Sequence, residues 1–312
     1  MKTRFLTLLV VSILVVALAI TGCAPAAPAK QRTIAYVAWN MNNPWSVKLR
    51  DSIKAIVEAH GDKYVEADPA GDPAKQIPQM ETFIGQKVDG IILTPTDKKA
   101  LSASVSAANA AGIPVVIAGA GIDEGPWKAA ILTDNKLGGK QIGEWVVKHF
   151  NGKGKVLASN LPGVEDADLR QAGWEEAFKG TEIQILDYQV GASVELGVTI
   201  MENWLQKYAT EFKNGEIVAI MGINDPTALG ALTVLEEAKI TNVFVVGIDG
   251  SDEAIKAMTD CRNYGASAEQ KPVDMGKMAA DTLYDVYAGK AIANRIVRIP
   301  TAALLREAYC KK

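Results

Sequence analysis

Residues 217–250 read IVAIMGINDPTALGALTVLEEAKITNVFVVGIDG. Two continuous apolar runs, 217–221 and 243–248, flank a helical stretch over 227–238. Strands with one wet face alternate apolar and polar residues. These runs do not alternate, which is how parallel strands read when helices cover both faces. A strand, a helix and a second such strand form the repeating unit of a doubly wound α/β domain. Working outward, the same rhythm gives strands at 155–158 and 183–188 and, more weakly, at 265–268. Helices over 167–178, 194–208 and 275–287 separate them. Towards the N-terminus a second series appears, with strands at 33–39, 64–67, 90–94, 114–118 and 130–133. Asn43-Pro44 reads as an N-cap followed by proline at the first helical position. The helix it opens carries Leu49, Ile53, Ile56 and Val57 on one face, at the 3.6-residue period. Further helices are read through 77–83 and 101–111, and Ile142, Trp145, Val146 and His149 share the face of the helix that leads into the second series. The fold class is therefore α/β, with two doubly wound parallel-sheet lobes.

The length of 312 residues suits two domains. Apolar residues at 48% and charged residues at 22% are ordinary globular usage, which excludes a disordered chain or a coiled coil. The balance of 33 basic and 36 acidic residues leaves no basic excess for a phosphate backbone, so nucleic acid is not expected as a partner. With 3 Cys and 2 His, neither a structural metal nor an iron–sulfur centre is expected. At the N-terminus Lys2 and Arg4 precede a nearly unbroken apolar run from Phe5 to Ile20. That run is short for a bilayer span and suits a secretory signal over residues 1–22. Ile20-Thr21-Gly22-Cys23 resembles the lipobox of bacterial lipoproteins, with Cys23 acylated as the mature N-terminus; the plainer alternative is an ordinary cleaved signal. Two acyl chains would anchor the protein stably, and the Ala/Pro segment over 23–30 would act as a short tether. Removal of Lys2 and Arg4 takes the 33 basic residues to 31 against 36 acidic ones, a mature charge of -5. Cys261 and Cys310 then sit in an oxidising compartment, where they either form a disulfide or remain as two buried thiols.

Enzyme signatures were sought first. The sequence contains no nucleophile elbow, P-loop, zinc-protease helix or dinucleotide fingerprint after a strand. Gly119-Ala120-Gly121 lacks a third glycine and reads as a tight turn. His60 and His149 fall on helices, where packed or surface histidines are the ordinary case. Asp123-Glu124, Glu165-Asp166 and Glu236-Glu237 read as solvated acidic faces. No enzyme activity and no cofactor are expected. Polar groups instead cluster just past the apolar runs, at Asn42-Asn43-Pro44-Trp45, Thr94-Pro95-Thr96-Asp97, Thr133-Asp134-Asn135, Asn224-Asp225-Pro226, Asp249-Gly250 and Gln270-Lys271-Pro272. Amides and carboxylates make several hydrogen bonds each and suit a small ligand dense in hydroxyls. An aromatic such as Trp45 can stack on the C–H face of a sugar ring.

Those motifs carry a resemblance. Asn42-Asn43-Pro44, the Leu-Thr-Pro-Thr-Asp run at 93–97, Asp134-Asn135 with Gly138-Gly139, Asn224-Asp225 with Ala228-Leu229-Gly230, and 245–250 follow one another over essentially all of residues 31–300. In this the chain resembles the periplasmic sugar-binding proteins of ABC importers, in the ribose-binding-like branch. The resemblance implies two lobes joined by three hinge crossings, at Thr133-Asp134, near Ala268-Glu269 and near Arg298-Ile299. It gives a first lobe of 31–133 plus 269–298 and a second of 134–268 plus 299–312. The cleft would close on a monosaccharide or related polyol and present a shape to a permease served by a cytoplasmic ATPase. A monomer is expected, held at the membrane through the lipid anchor alone and facing the periplasm or cell exterior. Carried over position by position, Asn43 would hydrogen-bond a hydroxyl and Trp45 would stack on the ring. Arg170, Asn224 and Asp249 would grip hydroxyls from the second lobe, and Gln270 would reach in near a hinge. For Asn43, Asn224 and Asp249 the alternative is cap or turn chemistry; for Arg170 it is a surface ion pair.

The chain also departs from that pattern. Gly119-Ala120 stands where the family's ribose binders carry an Asp-Arg pair. Thr94 replaces an asparagine, Ser46 and Ala192 replace aromatics, and Trp39 takes the place of a small serine, making it a further candidate for the ligand wall. The exchange fits a hexose, a deoxy sugar or a polyol better than ribose. Asp123, Glu124 and Trp127, in what reads as a surface loop, offer a way to refill the space. Other functions were weighed on the same fold. A repressor would need an N-terminal helix-turn-helix, which the secretory signal excludes. A sensor for a chemotactic sugar or a signalling furanose would share both fold and anchor.

Overall fold

The computed structural model describes residues 30–123 and 125–311. The expected signal peptide, Cys23, all but the last residue of the tether and Glu124 lie outside the described residues. From Thr33 onward the chain forms one unit built on two six-stranded sheets.

The first sheet has the order β11-β5-β4-β3-β1-β2, from β1 (Thr33–Val37), β2 (Lys63–Ala67), β3 (Gly90–Leu93), β4 (Val115–Gly119), β5 (Ala129–Thr133) and β11 (Ile296–Ile299). The second has the order β12-β10-β9-β8-β6-β7, from β6 (Lys153–Asn160), β7 (Glu182–Val190), β8 (Ile217–Met221), β9 (Phe244–Asp249), β10 (Tyr264–Glu269) and β12 (Ala302–Leu305). All the pairings are parallel except β10 with β12. Both faces of each sheet are buried. Ile34 and Tyr36 belong to one apolar cluster and Ala35 and Val37 to another; Ile220 and Val245 likewise divide from Met221 and Val246. This is why the strands lack polar alternation.

The helices are α1 (Pro44–Ala59), α2 (Pro73–Gly85), α3 (Ser102–Ala110), α4 (Asn135–His149), α5 (Glu165–Phe178), α6 (Val194–Lys207), α7 (Ala209–Lys213), α8 (Asp225–Glu237), α9 (Asp252–Thr259), α10 (Pro272–Tyr287) and α11 (Arg306–Tyr309). As the sequence suggests, Asn43 caps α1 and Pro44 begins it. The chain leaves the first sheet after β5, returns through α10, which packs on α1, and leaves again between β11 and β12. These crossings are tied together. The Asp134 amide donates to the Ile299 carbonyl at 2.9 Å, and the Thr133 hydroxyl lies 3.0 Å from Gln270 Oε1.

Several details differ from the sequence reading. The crossing stretch near Arg298 is a strand, β11, and β12 follows it; neither was read as a strand. The same holds for the short helices α7, α9 and α11. Ile299 ends a strand of the first sheet and Glu269 ends one of the second, so each lies one residue across the expected lobe limit. Residues 265–268, a weak strand by sequence, belong to a wholly buried β10 apart from its last residue. Trp127 is not in a surface loop but only 4% exposed. Its Nε1 donates to the Asp123 carbonyl and the Arg295 guanidinium lies 3.6 Å from its ring centre. Cys261 and Cys310 are joined as a disulfide, Cα atoms 5.0 Å apart. The bridge fastens the chain's end to the turn after α9. Arg306 reinforces it by donating to the carbonyls of Cys261 and Arg262.

Candidate functional site

In doubly wound sheets the C-terminal strand edge gathers the loops that bind ligands. Here both sheets present that edge to a shared cleft of about 640 Å³, bounded by Asn43, Trp45 and Lys48 from one lobe and Leu229, Asp249 and Ser251 from the other.

On the first lobe, Asn43 Oδ1 accepts the Trp45 amide at 2.9 Å, the expected cap, and so sets where the indole begins. Buried Gln76 holds the strand ends in register. Its Nε2 donates to the carbonyls of Ala38 (2.7 Å) and Thr94 (2.9 Å), and its Oε1 accepts the Thr96 amide and hydroxyl. The Thr94 hydroxyl pairs with the Tyr36 phenol at 3.1 Å.

On the second lobe, α4 and α5 pack so closely that Gly139 and Gly173 are required. A Cβ on Gly173 would collide with the Lys136 carbonyl, and one on Gly139 with the Arg170 carbonyl. That approach positions Arg170. Its Nε donates to Asn135 Oδ1 at 2.8 Å, its Nη1 to the Ile223 carbonyl at 3.0 Å, and Nη1 lies 3.9 Å from Asp249 Oδ1. This is a part-buried, fixed guanidinium rather than a surface ion pair. Asp249 Oδ1 accepts Gln270 Nε2 at 2.5 Å. Burial pushes the Asp249 carboxyl up to about 7, Arg170 opposing this and Asp225 adding to it. Asn224 caps α8, its Oδ1 accepting the Thr227 amide and hydroxyl and its Nδ2 donating to the Ala192 carbonyl. One Nδ2 hydrogen then remains for another partner.

The structure thus links Thr133, Gln270, Asp249 and Arg170 in a chain of polar contacts, and sets Asn43 and Trp45 across the cleft from Asp249. Trp39 stands apart: it lies on the bend after β1, 37% exposed, and is not part of the cleft lining or of that chain.

Sequence reasoning missed the support behind these groups. Asp225 is completely buried, accepting the Tyr264 and Ser267 hydroxyls at 2.7 Å each and the Ser251 amide at 2.8 Å. Burial raises its carboxyl above the usual range. Its place one residue past Asn224, in a polar run after a strand, was the available signal. Asp166, read as part of a solvated acidic face, is also pushed up by burial, with Arg170 one turn on pulling it down. Its neighbour Glu165 reaches across the cleft to Lys98 at 4.0 Å, and Lys48 bridges to Asp252 at 2.8 Å. Trp45 Nε1 and Asn160 Oδ1 are buried without a hydrogen-bond partner among the described residues. No group of three or more His, Cys, Asp or Glu among the described residues could hold a metal ion, and no described helix is long and apolar enough to cross a membrane. The site offers donors, acceptors and an aromatic face.

The profile of the periplasmic binding protein domain family matches residues 34–291. The ribose import binding protein of Bacillus subtilis is 30% identical over 270 residues, covering 86% of this chain and 85% of that protein. Among solved structures, an ABC transporter solute binding protein from Mycobacterium smegmatis with bound glycerol is 29% identical, with a TM-score of 0.79 over 89% of this chain and 95% of that one. Another from Actinobacillus succinogenes, with bound D-allose, shares the fold at a TM-score of 0.82 and 22% identity, covering 89% and 98%. The chain belongs to the periplasmic binding proteins, with the type 1 arrangement of two parallel-sheet lobes, on the branch that holds the ribose-binding proteins.

Proposed function

We propose that this chain is the substrate-binding lipoprotein of an ABC importer, capturing a monosaccharide or related polyol between its lobes and delivering it to a permease and its ATPase. The observation that carries the reading is the Arg170–Asp249–Gln270 group facing Asn43 and Trp45 across the cleft. A buried carboxylate beside a fixed guanidinium and an amide offers directed acceptors and donors to vicinal hydroxyls, opposite an aromatic face for the ring. Asn224 adds its remaining amide hydrogen, and Trp39 closes the outer edge once ligand is bound. The relatives' names, one a ribose import binding protein and one crystallised with glycerol, support a polyhydroxylated ligand. The lobes turn about crossings after Thr133, Glu269 and Ile299, Cys23 carries the lipid anchor, and the protein acts as a monomer without chemistry of its own.

A thermal-shift screen of the purified protein against pentoses, hexoses, deoxy sugars, polyols and signalling furanoses tests this. A ligand of the folded form raises the melting temperature with concentration. One hit that is lost in Asp249→Ala and Asn224→Ala supports the site. A hit that survives both changes removes the site assignment, and silence across the panel removes sugar import.

A further inference from the structure

The first-lobe wall of the cleft carries little that could accept a ligand's hydroxyl proton. Gly119 ends β4 with φ +89°, and a Cβ built there would collide with Trp45 Cη2, with Cζ3 at 3.3 Å and Thr94 Cγ2 at 3.2 Å. The indole therefore leans on the bare backbone of residue 119, and any side chain at that position competes with it. Ala120, next along, adds only a methyl. The Thr94 hydroxyl is turned away into a buried pair with the Tyr36 phenol, leaving its methyl towards residue 119. Asn43 Oδ1 already accepts the Trp45 amide. The one polar atom the indole adds is Nε1, buried without a partner among the described residues, and an indole N–H donates only.

The second lobe is the opposite. The Asp249 carboxylate, the Arg170 guanidinium and the Gln270 amide meet there, and Asn160, last residue of β6, has a buried Oδ1 with no partner. A hydroxyl pressed against the first-lobe wall could accept from Trp45 Nε1, but its own proton would be left without an acceptor, which costs the full desolvation of that group. A ring oxygen or ether accepts from Nε1 and has no proton to place. A C–H or methyl group fits the carbons of Trp45, Thr94, Gly119 and Ala120.

Resting on the sugar-binding reading above, we infer that the ligand is a deoxy sugar, its hydroxyl edge on the second lobe and its deoxygenated edge and ring oxygen on the Trp45–Gly119 wall. Gly119 and Trp45 set this preference as a pair, because the missing side chain makes the room that the indole fills.

Isothermal titration of the purified protein with matched pairs tests it: D-galactose against D-fucose, L-mannose against L-rhamnose, and D-ribose against 2-deoxy-D-ribose. In at least one pair the deoxy member binds about tenfold or more tightly than its parent, within the range that apolar pockets discriminate. Trp45→Ala shrinks that ratio to about threefold or less by letting water reach the wall. Trp45→Phe, which keeps the face and removes Nε1, serves the same purpose if the alanine variant does not fold. Parent sugars binding as tightly as their deoxy partners in every pair would overturn the inference and leave sugar binding standing. A ratio unchanged in the Trp45 variant also overturns it, since the wall is then not its source. Binding by neither member of any pair removes the sugar-binding reading and this one together.

Discussion

At the scale of single residues, the cleft depends on Asp249, a carboxyl that burial pushes up to about 7. Arg170 pulls it down, but at 3.9 Å, and the strongest direct contact comes from an uncharged amide, Gln270 Nε2. The unfolded chain exposes an ordinary aspartate, taken at 3.8. Between those two values the folded protein holds a proton that the unfolded one has released. Asp249 therefore contributes most to stability below the unfolded value, and the contribution is lost as pH rises through about 7. Urea unfolding of the ligand-free protein and of Asp249→Asn at pH 5 and pH 8 measures this. The asparagine variant gains on the parent at pH 8 relative to pH 5, and an equal difference at both would contradict the assignment. Buried Asp225, also pushed up, is present in both proteins and contributes to both curves. The residue scale also shows why one sequence motif supported two readings. Asn43 and Asn224 do cap α1 and α8, and each cap uses Oδ1. Nδ2 of Asn224 keeps one hydrogen, so capping and ligation draw on different atoms of the same amide.

At the scale of elements, the packing of α4 on α5 decides where Arg170 points. Exchanging glycine for alanine inside a helix ordinarily stabilises by about 1 kcal/mol. At Gly173 the sign reverses, because the added Cβ meets the Lys136 carbonyl and the Lys140 amide, backbone atoms that cannot turn aside. Gly173→Ala is expected to lose about 1–3 kcal/mol in denaturant unfolding, the usual cost of overpacking. It is also expected to weaken ligand binding, because Arg170 sits one turn earlier on the displaced helix. Greater stability in the variant would show that the helices can part freely. Much of this layer was legible in the sequence. The ten strands read as apolar runs are all present, because both faces of each sheet are covered and the runs are unbroken. What was not legible is short or sits at an edge. β11 has four residues, one of them Arg298, with Pro300 just beyond, and β12 follows at once; neither is long enough to show a period. α9 has eight residues. Asp225 and Asp166 were misread for a different reason: a carboxylate in a polar run looks solvated until the fold shows which elements close over it.

At the scale of the whole molecule, two ion pairs bridge the lobes away from the crossings, Lys48–Asp252 at 2.8 Å and Lys98–Glu165 at 4.0 Å. Both are substantially exposed, so each contributes about 0–1 kcal/mol in water. That is small against folding but not against an equilibrium between two arrangements of rigid lobes, where a few kcal/mol separates the states. Neither pair can form unless the lobes approach, so both favour the arrangement that encloses ligand. Lys48→Ala is expected to raise the ligand Kd by up to about fivefold while leaving the unfolding free energy of the ligand-free protein nearly unchanged. A double-mutant cycle with Asp252→Ala separates the pair from either side chain alone: the second change costs little once the first is made. The effect also fades in 1 M salt, where exposed charges are screened within about 3 Å. Additive losses in the cycle, or a loss indifferent to salt, would mean that Lys48 acts by packing at the cleft rather than by bridging the lobes. The hinge itself is held differently, by Asp134 on Ile299 and Thr133 on Gln270. Gln270 also donates to Asp249, so the site's carboxylate shares a side chain with two of the crossings, and ligand contacts at Asp249 bear directly on the angle between the lobes.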